Sequence, residues 1–193
     1  MRYLGLVLIF ILSGCTLKTL PPLNYYSLKE NITVQEIKNS PYKNRILKVA
    51  IPLSFSNPLD YKLYFNYLDG QRGAYQNSQW QTPLYKQLQK FFIVTLQKAH
   101  IFKSVVSTDS TVYEDLRLES TVYALENRII NKKSYAVLDI ELRLVDMKDR
   151  SIIKQKRFTY QKSAPTFNAK GYIVALNSIL EQLANDMVRW LAK

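Results

Sequence analysis

The sequence has little of the chemistry on which enzymes and metalloproteins depend. Its 193 residues include one cysteine, one histidine and five glycines. A single thiol excludes an internal disulfide and a zinc site built from several thiolates. The sequence has no HExxH motif, no phosphate-binding glycine loop and no glycine-flanked serine. His100 lies at the end of a predicted helix, where a capping role is favoured. We therefore expect no catalytic residue, no metal and no bound cofactor.

Long hydrophobic runs are also absent, although the chain begins with a short one. The apolar run from Leu4 to Leu12 follows Arg2 and is finished at Ser13. A membrane-spanning helix needs about 20 apolar residues. A short run after a positive residue is typical of an export signal. The sequence therefore predicts a signal peptide over residues 1–14.

The only cysteine stands directly after this signal. The segment Leu12-Ser13-Gly14-Cys15 resembles the lipobox of bacterial lipoproteins. The Cys15 thiol would carry diacylglycerol through a thioether, and the new N-terminus would carry an N-acyl lipid. Simple cleaved secretion and an uncleaved anchor are the alternatives. Residues 15–24 are predicted to be an acylated tether, because Pro21-Pro22 favours extended backbone.

The chain is strongly basic. It has a formal net charge of +12, from 27 basic and 15 acidic residues. Such a charge favours an anionic neighbour, which could be nucleic acid, lipid headgroups or an acidic protein. An exported protein does not meet nucleic acid, so we expect no nucleic-acid partner. A merely solubilising surface is the alternative.

Hydrophobic patterning over residues 25–193 predicts a single α+β domain. Strands are expected at 25–29, 46–52, 61–70, 101–107, 112–125, near 136–144 and at 151–161, with Leu47, Val49 and Ile51 facing one way. Residues 112–161 are predicted to form an antiparallel meander with one face toward solvent, where carboxylates and arginines pair. Leucine spacing predicts helices over 78–99 and 170–191. A capping box at Ser78–Gln81 is expected to begin the first, with Trp80 on its apolar face.

These elements give a two-layer sandwich, a mostly antiparallel sheet with two amphipathic helices packed on one face. The ordered set of segments carries a family likeness. The lipobox is followed by "YYSL" (25–28), "LKVAIPL" (47–53), the aromatic stretch 63–92 and the strand and helix patterns up to 191. Together they resemble the ABC-type transport auxiliary lipoproteins, the family that includes paraquat-inducible protein C.

The resemblance implies a role and not a reaction. Proteins of this family serve as auxiliary or docking subunits beside an ABC permease, its ATPase and a mammalian-cell-entry-domain protein, which move lipids between membranes. The protein would face the periplasm on its lipid anchor. Thr16 after the cysteine favours the outer membrane by analogy, and the inner membrane is the alternative. A homo-oligomer is a further expectation.

Two other functions remain open from the sequence. The domain could be a lipid carrier that holds an acyl chain in a cavity between sheet and helices, or a lipoprotein of another envelope-assembly complex. For docking, the candidate surfaces are the outward face of the meander, an exposed sheet edge and the loops 54–60 and 70–77. Four tyrosines are candidate contact residues, because tyrosine anchors interfaces well: Tyr61, Tyr64, Tyr67 and Tyr75.

Overall fold

The computed structural model describes residues 21–193. The predicted signal peptide, Cys15 and the first part of the tether lie outside these residues. Within them the chain forms two α-helices and one mixed sheet. The helices are α1 (Leu84–Ala99) and α2 (Ala169–Ala192). The strands are β1 (Asn24–Tyr26), β2 (Ile46–Val49), β3 (Leu53–Ser54), β4 (Lys62–Tyr67), β5 (Arg72–Trp80), β6 (Ser104–Ser107), β7 (Leu116–Ile130), β8 (Lys133–Asp146) and β9 (Ile152–Ser163).

The centre of the sheet is the predicted meander. Strand β7 pairs antiparallel with β8 along almost its whole length, and β8 pairs antiparallel with β9. The turn between β7 and β8 is tight, with positive φ at Asn131 and Lys132, as two-residue hairpin turns require. Leu138, Ile140 and Leu142 alternate toward the helices and are fully buried. The alternation of the sequence therefore predicts this part of the fold correctly.

The other edge of β7 is shared by three short strands. Strands β2, β3 and β4 pair with it one after another, all parallel. Beyond them the sheet divides, because β6 extends it next to β2, whereas β5 and β1 extend it next to β4. Parallel pairing of residues far apart in the chain leaves no local signal, so the sequence did not predict this division.

Both helices lie on one face of the sheet and share a core with it. α1 lies mainly against β6, whereas α2 lies against β8 and β9. Their leucine stripes are fully buried, as the sequence predicted: Leu88 and Leu96 on α1, and Leu176, Leu180 and Leu183 on α2. The α+β sandwich is thus confirmed. Neither helix in residues 21–193 has the length and apolar character that crossing a membrane would require.

Two details of the first helix were predicted wrongly. Residues 78–80 belong to β5, so the expected capping box at Ser78–Gln81 does not exist. The helix begins after Pro83 instead, without a side-chain cap. Trp80 is buried, as expected for an apolar position, but it is buried from the end of a strand. The pairing of β5 with β4 and β1 on its two sides outweighs the local helix signal.

The orientation of Ile51 was also predicted wrongly, because it was expected to face the same way as Leu47 and Val49. Between β2 and β3 the chain uses four residues to advance from Val49 to Leu53, whereas β7 uses three from Leu118 to Thr121. The extra residue breaks the alternation, as in a β-bulge. Ile51 is exposed as a result, and Leu53 lies on the opposite sheet face from Val49. Val112, at the start of the strand expected over 112–125, is exposed because β7 begins only at Leu116.

Candidate docking surface

The face of the sheet that the helices leave uncovered is lined with ion pairs. Arg157 binds Asp139 through two contacts of 2.7 Å, and this hydrogen bonding lowers the pKa of the Asp139 carboxyl below its ordinary value. Arg143 lies 3.6 Å from Glu119 and 3.9 Å from Glu141. The carboxylates that the sequence places on the outward face are therefore paired with arginines, as expected.

One end of this face is closed by a buried polar cluster. The Glu126 carboxylate is almost fully buried and accepts hydrogen bonds from Arg128 at 2.9 Å and from the Asn57 and Asn66 amides. Asn57 belongs to the loop 55–61, so the cluster fixes part of this loop over the sheet. A buried carboxylate needs such partners, because an uncompensated charge away from water is costly. The loop is thereby held in a defined position beside β7.

A strip of apolar side chains interrupts this charged face. Ile51, Leu53 and Phe55, which we call the apolar strip, are between 52% and 68% exposed. Phe55 contacts the ring of Tyr123 edge to face, with centroids 5.8 Å apart. Arg157 lies above the same ring at 4.0 Å. Exposed apolar side chains surrounded by polar ones are typical of protein interaction sites.

The four candidate tyrosines do not lie on one surface. Tyr64 is half-buried, and its hydroxyl donates to Asp60 at 3.0 Å; burial and this hydrogen bond raise its pKa to about 12. Tyr75 packs against Phe65 and accepts a hydrogen bond from the Asn127 amide, and burial raises the pKa of this tyrosine. Tyr61 and Tyr67 are exposed. Partner contact through any of the four stays a prediction.

The apolar strip was not predicted from the sequence. The loop 54–60, which contains Phe55, was among the predicted candidate surfaces. Ile51, however, was expected to face the same way as Leu47 and Val49, and Leu53 had no predicted role. The one available signal was the run Ile51-Pro52-Leu53-Ser54-Phe55, whose apolar residues alternate. The alternation alone does not show which face is covered. Only the position of the bulge decides this.

Three cavities lined by residues of the described part of the chain lie at its surface. One of about 340 Å³ lies between residues 27–30 and α1, with Lys86 and Lys90 in its lining. Another of about 340 Å³ lies beside Trp190, and a third of about 450 Å³ beside Phe167.

His100 ends α1 in the left-handed conformation, with its Nδ1 atom 2.7 Å from Glu36. Residues 21–193 contain no cluster of potential metal ligands.

Comparison with solved structures identifies proteins of the same fold. Protein XCC0632 from Xanthomonas campestris is 16% identical, with 88% of this chain and 95% of that chain covered and a TM-score of 0.76. A PelC dodecamer from Paraburkholderia phytofirmans is 10% identical, with 80% and 91% covered and a TM-score of 0.53. No curated protein matches the chain.

The family comparison is more specific. The model of the ABC-type transport auxiliary lipoprotein component matches residues 62–188, which is more than half of the chain. This match begins at β4 and extends through most of α2, so it includes the whole meander. The chain therefore belongs to the family of ABC-type transport auxiliary lipoprotein components.

Proposed function

We propose that this protein is a non-catalytic docking subunit of an ABC-type intermembrane lipid transporter. The family match supports an association with an ABC transporter. The observation that carries the docking role is the apolar strip, which lies on the face of the sheet opposite α1 and α2. The proposed partner is the mammalian-cell-entry-domain protein of the transporter, together with its permease and ATPase.

The anchor is proposed to be the lipidated Cys15. Diacylglycerol on the thiol and an acyl chain on the new N-terminus would together hold the protein on a membrane, since each buried methylene adds about 0.8 kcal/mol. The membrane is proposed to be the outer one, with the domain in the periplasm. Growing cells labelled with a clickable fatty acid test the anchor. The protein should be labelled, and the Cys15→Ala variant should be neither labelled nor processed.

Photo-crosslinking tests the docking surface. We place a photoreactive phenylalanine analogue at Phe55 and, as a matched control, at Val174, which is similarly exposed on α2. Crosslinks at Phe55 to the mammalian-cell-entry-domain protein, identified by mass spectrometry, are expected, and none at Val174. Equal crosslinking at both positions would refute the apolar strip as the docking surface. Crosslinks only to proteins of other envelope assemblies would refute the transporter assignment.

Self-association is a second part of the proposal. Its support is that the similar PelC structures are described as dodecamers. Native mass spectrometry of the mature protein should show a homo-oligomer, and a strictly monomeric protein at all concentrations would contradict this. Pairing of two copies through the edge strand β9 is unfavourable, because this strand carries Lys154, Lys156 and Lys162 and their charges would repel each other.

The lipid-carrier alternative finds less support. A carrier needs an apolar cavity of some hundreds of Å³ for the acyl chain. The apolar stripes of both helices are buried in the core that they share with the sheet. The cavity between residues 27–30 and α1 has lysines in its lining and lies outside the core. Lipid in stoichiometric amount on the purified domain would nevertheless favour the carrier.

A further inference from the structure

Three connecting segments meet at one end of the sheet. The turn between β4 and β5 (68–71), the turn between β7 and β8 (131–132) and the segment before α2 (164–168) surround one cavity of about 450 Å³. We call this end the tip. A hydrogen bond of 2.8 Å from the Ala164 amide to the Ser134 carbonyl joins the segment before α2 to the start of β8, next to the turn at 131–132. The tip is thus a single surface built from distant parts of the chain.

Among residues 21–193, the tip exposes large apolar side chains. Leu68 is 68% exposed and Phe167 is 58% exposed, although both contribute to the lining of the same cavity. Tyr67, at the end of β4, is exposed beside them. Leucine and phenylalanine at the outermost points of turns, next to a tyrosine, resemble the apolar contacts that peripheral proteins insert into a lipid interface.

The charge of the tip is positive. Arg72, Lys132, Lys133 and Lys170 lie in or next to the three segments, and all are exposed. Within residues 21–193 none of these four cations makes an ion pair. The one carboxylate in the tip, Asp69, accepts a hydrogen bond from the amide of Gln71 within its own turn. Anionic lipid headgroups attract such a surface.

The direction of β1 allows the proposed anchor to reach the same side as the tip. Strand β1 runs parallel to β5, with Asn24 opposite Ser78, so it starts from the side of the tip, where β5 also starts. The six residues from Arg72 to Ser78 span at most about 20 Å, at roughly 3.4 Å per residue, because β5 contains an irregularity in this stretch. The nine residues from Cys15 to Asn24 reach at most about 30 Å. The anchor can therefore reach the level of the tip.

We propose that the tip rests on the anionic surface of the membrane, with Leu68 and Phe167 inserted at the lipid interface. This inference rests on the proposed anchor at Cys15, because the anchor confines the domain to the membrane surface. The tip then fixes the orientation of the sheet relative to the bilayer. The loop before β7, at the opposite end of that strand, points away from the membrane into the periplasm.

The experiment uses the single cysteine of the chain. When Cys15 is lipidated its thiol is blocked, so the variants Leu68→Cys, Phe167→Cys and Tyr113→Cys each have one reactive thiol for an environment-sensitive fluorophore. Tyr113 is the matched control, since it is 93% exposed and lies before β7, at the end far from the tip. The mature proteins are reconstituted in vesicles of phosphatidylethanolamine and phosphatidylglycerol that contain a spin-labelled quencher lipid.

Quenching at Leu68 and Phe167 should be several-fold stronger than at Tyr113. Replacing phosphatidylglycerol by phosphatidylcholine should reduce the quenching at Leu68 and Phe167. In the double variant Lys132→Gln with Lys133→Gln, the quenching should be the same with either lipid. Equal quenching at all three positions would overturn the inference. So would a fluorophore at Leu68 that is shielded from water without being quenched, because this indicates a protein contact.

Mass spectrometry of the same samples distinguishes failure of the proposed anchor at Cys15 from failure of the proposed membrane contact of the tip. A protein that carries diacylglycerol but shows no preferential quenching refutes the tip and leaves the anchor intact. A protein without diacylglycerol refutes the anchor, and quenching after it is mixed with the vesicles still decides whether the tip binds lipid. A sample without an introduced cysteine reports any labelling of Cys15 itself.

Discussion

The ion pair between Glu114 and Lys48 is expected to make the stability of the protein depend on pH. The Glu114 carboxylate lies 2.8 Å from the Lys48 ammonium and is also bound by Arg117. These hydrogen bonds, first from Lys48 and then from Arg117, lower the pKa of Glu114 to about 2. Lys48 lies opposite Arg117 in the parallel pair of β2 and β7, so the carboxylate joins two strands.

The size of the effect follows from the change in pKa between the unfolded and folded protein. The pKa falls from the ordinary value of 4.5 to about 2. At 1.36 kcal/mol per pKa unit, the ionised pair contributes at most about 3 kcal/mol to the free energy of unfolding. The Arg117 side chain is about one-third exposed, so water screens part of this interaction. We therefore expect about 1–3 kcal/mol.

The sign of the pH dependence is fixed by the lowered pKa. The stabilisation is complete above about pH 4.5, where the carboxyl is ionised in both the unfolded and the folded protein. It is lost as the pH falls toward 2, because protonation removes the charge that Lys48 and Arg117 bind. The Glu114→Gln variant should consequently be less stable than the original protein at pH 7, and the difference should shrink steadily below pH 4.5.

Urea unfolding followed by tryptophan fluorescence measures this difference at several pH values between 3 and 7. The matched control is Glu181→Gln, because Glu181 pairs with Lys29 on the surface and both side chains are nearly half exposed. The control should change the free energy of unfolding by less than about 1 kcal/mol. A loss in Glu114→Gln that does not vary with pH, or that equals the loss in the control, would refute the reasoning.

Three further predictions concern α2 and are checked by urea unfolding with circular dichroism. Gly171→Ala should destabilise the protein by about 1–3 kcal/mol or more, because its Cβ would lie 2.2 Å from the Thr166 carbonyl oxygen; an unchanged midpoint would contradict this close approach. Asn168→Ala should lower the free energy of unfolding by about 1 kcal/mol, since the Asn168 side chain accepts a hydrogen bond of 2.9 Å from the Gly171 amide. Leu180→Ala should cost about 2–5 kcal/mol, since Leu180 is fully buried; a loss below 1 kcal/mol would be inconsistent with that burial.

The meander and the two helices were predictable because their signals are local. Alternation over β8 and the leucine spacing of α2 each repeat several times within one element, so each pattern identifies its element and its buried face. The family resemblance added the transporter association, which no single residue shows. The roles of the candidate contact tyrosines were harder to predict from the sequence, because aromatic side chains serve packing and binding equally well. The hydroxyls of Tyr64 and Tyr75 make hydrogen bonds within the domain, whereas Tyr61 and Tyr67 are exposed.

The sequence by itself determined the number of layers, the antiparallel centre of the sheet and the absence of the usual catalytic motifs. Only the tertiary structure decided how residues 46–67 pair with β7, and with this pairing the exposure of Ile51, Leu53 and Phe55. It also brought Leu68, the turn at Lys132 and Phe167 to one end of the sheet. The reason is that register between strands far apart in sequence is set by a backbone ladder and by one extra residue, and neither leaves a periodic trace in the chain.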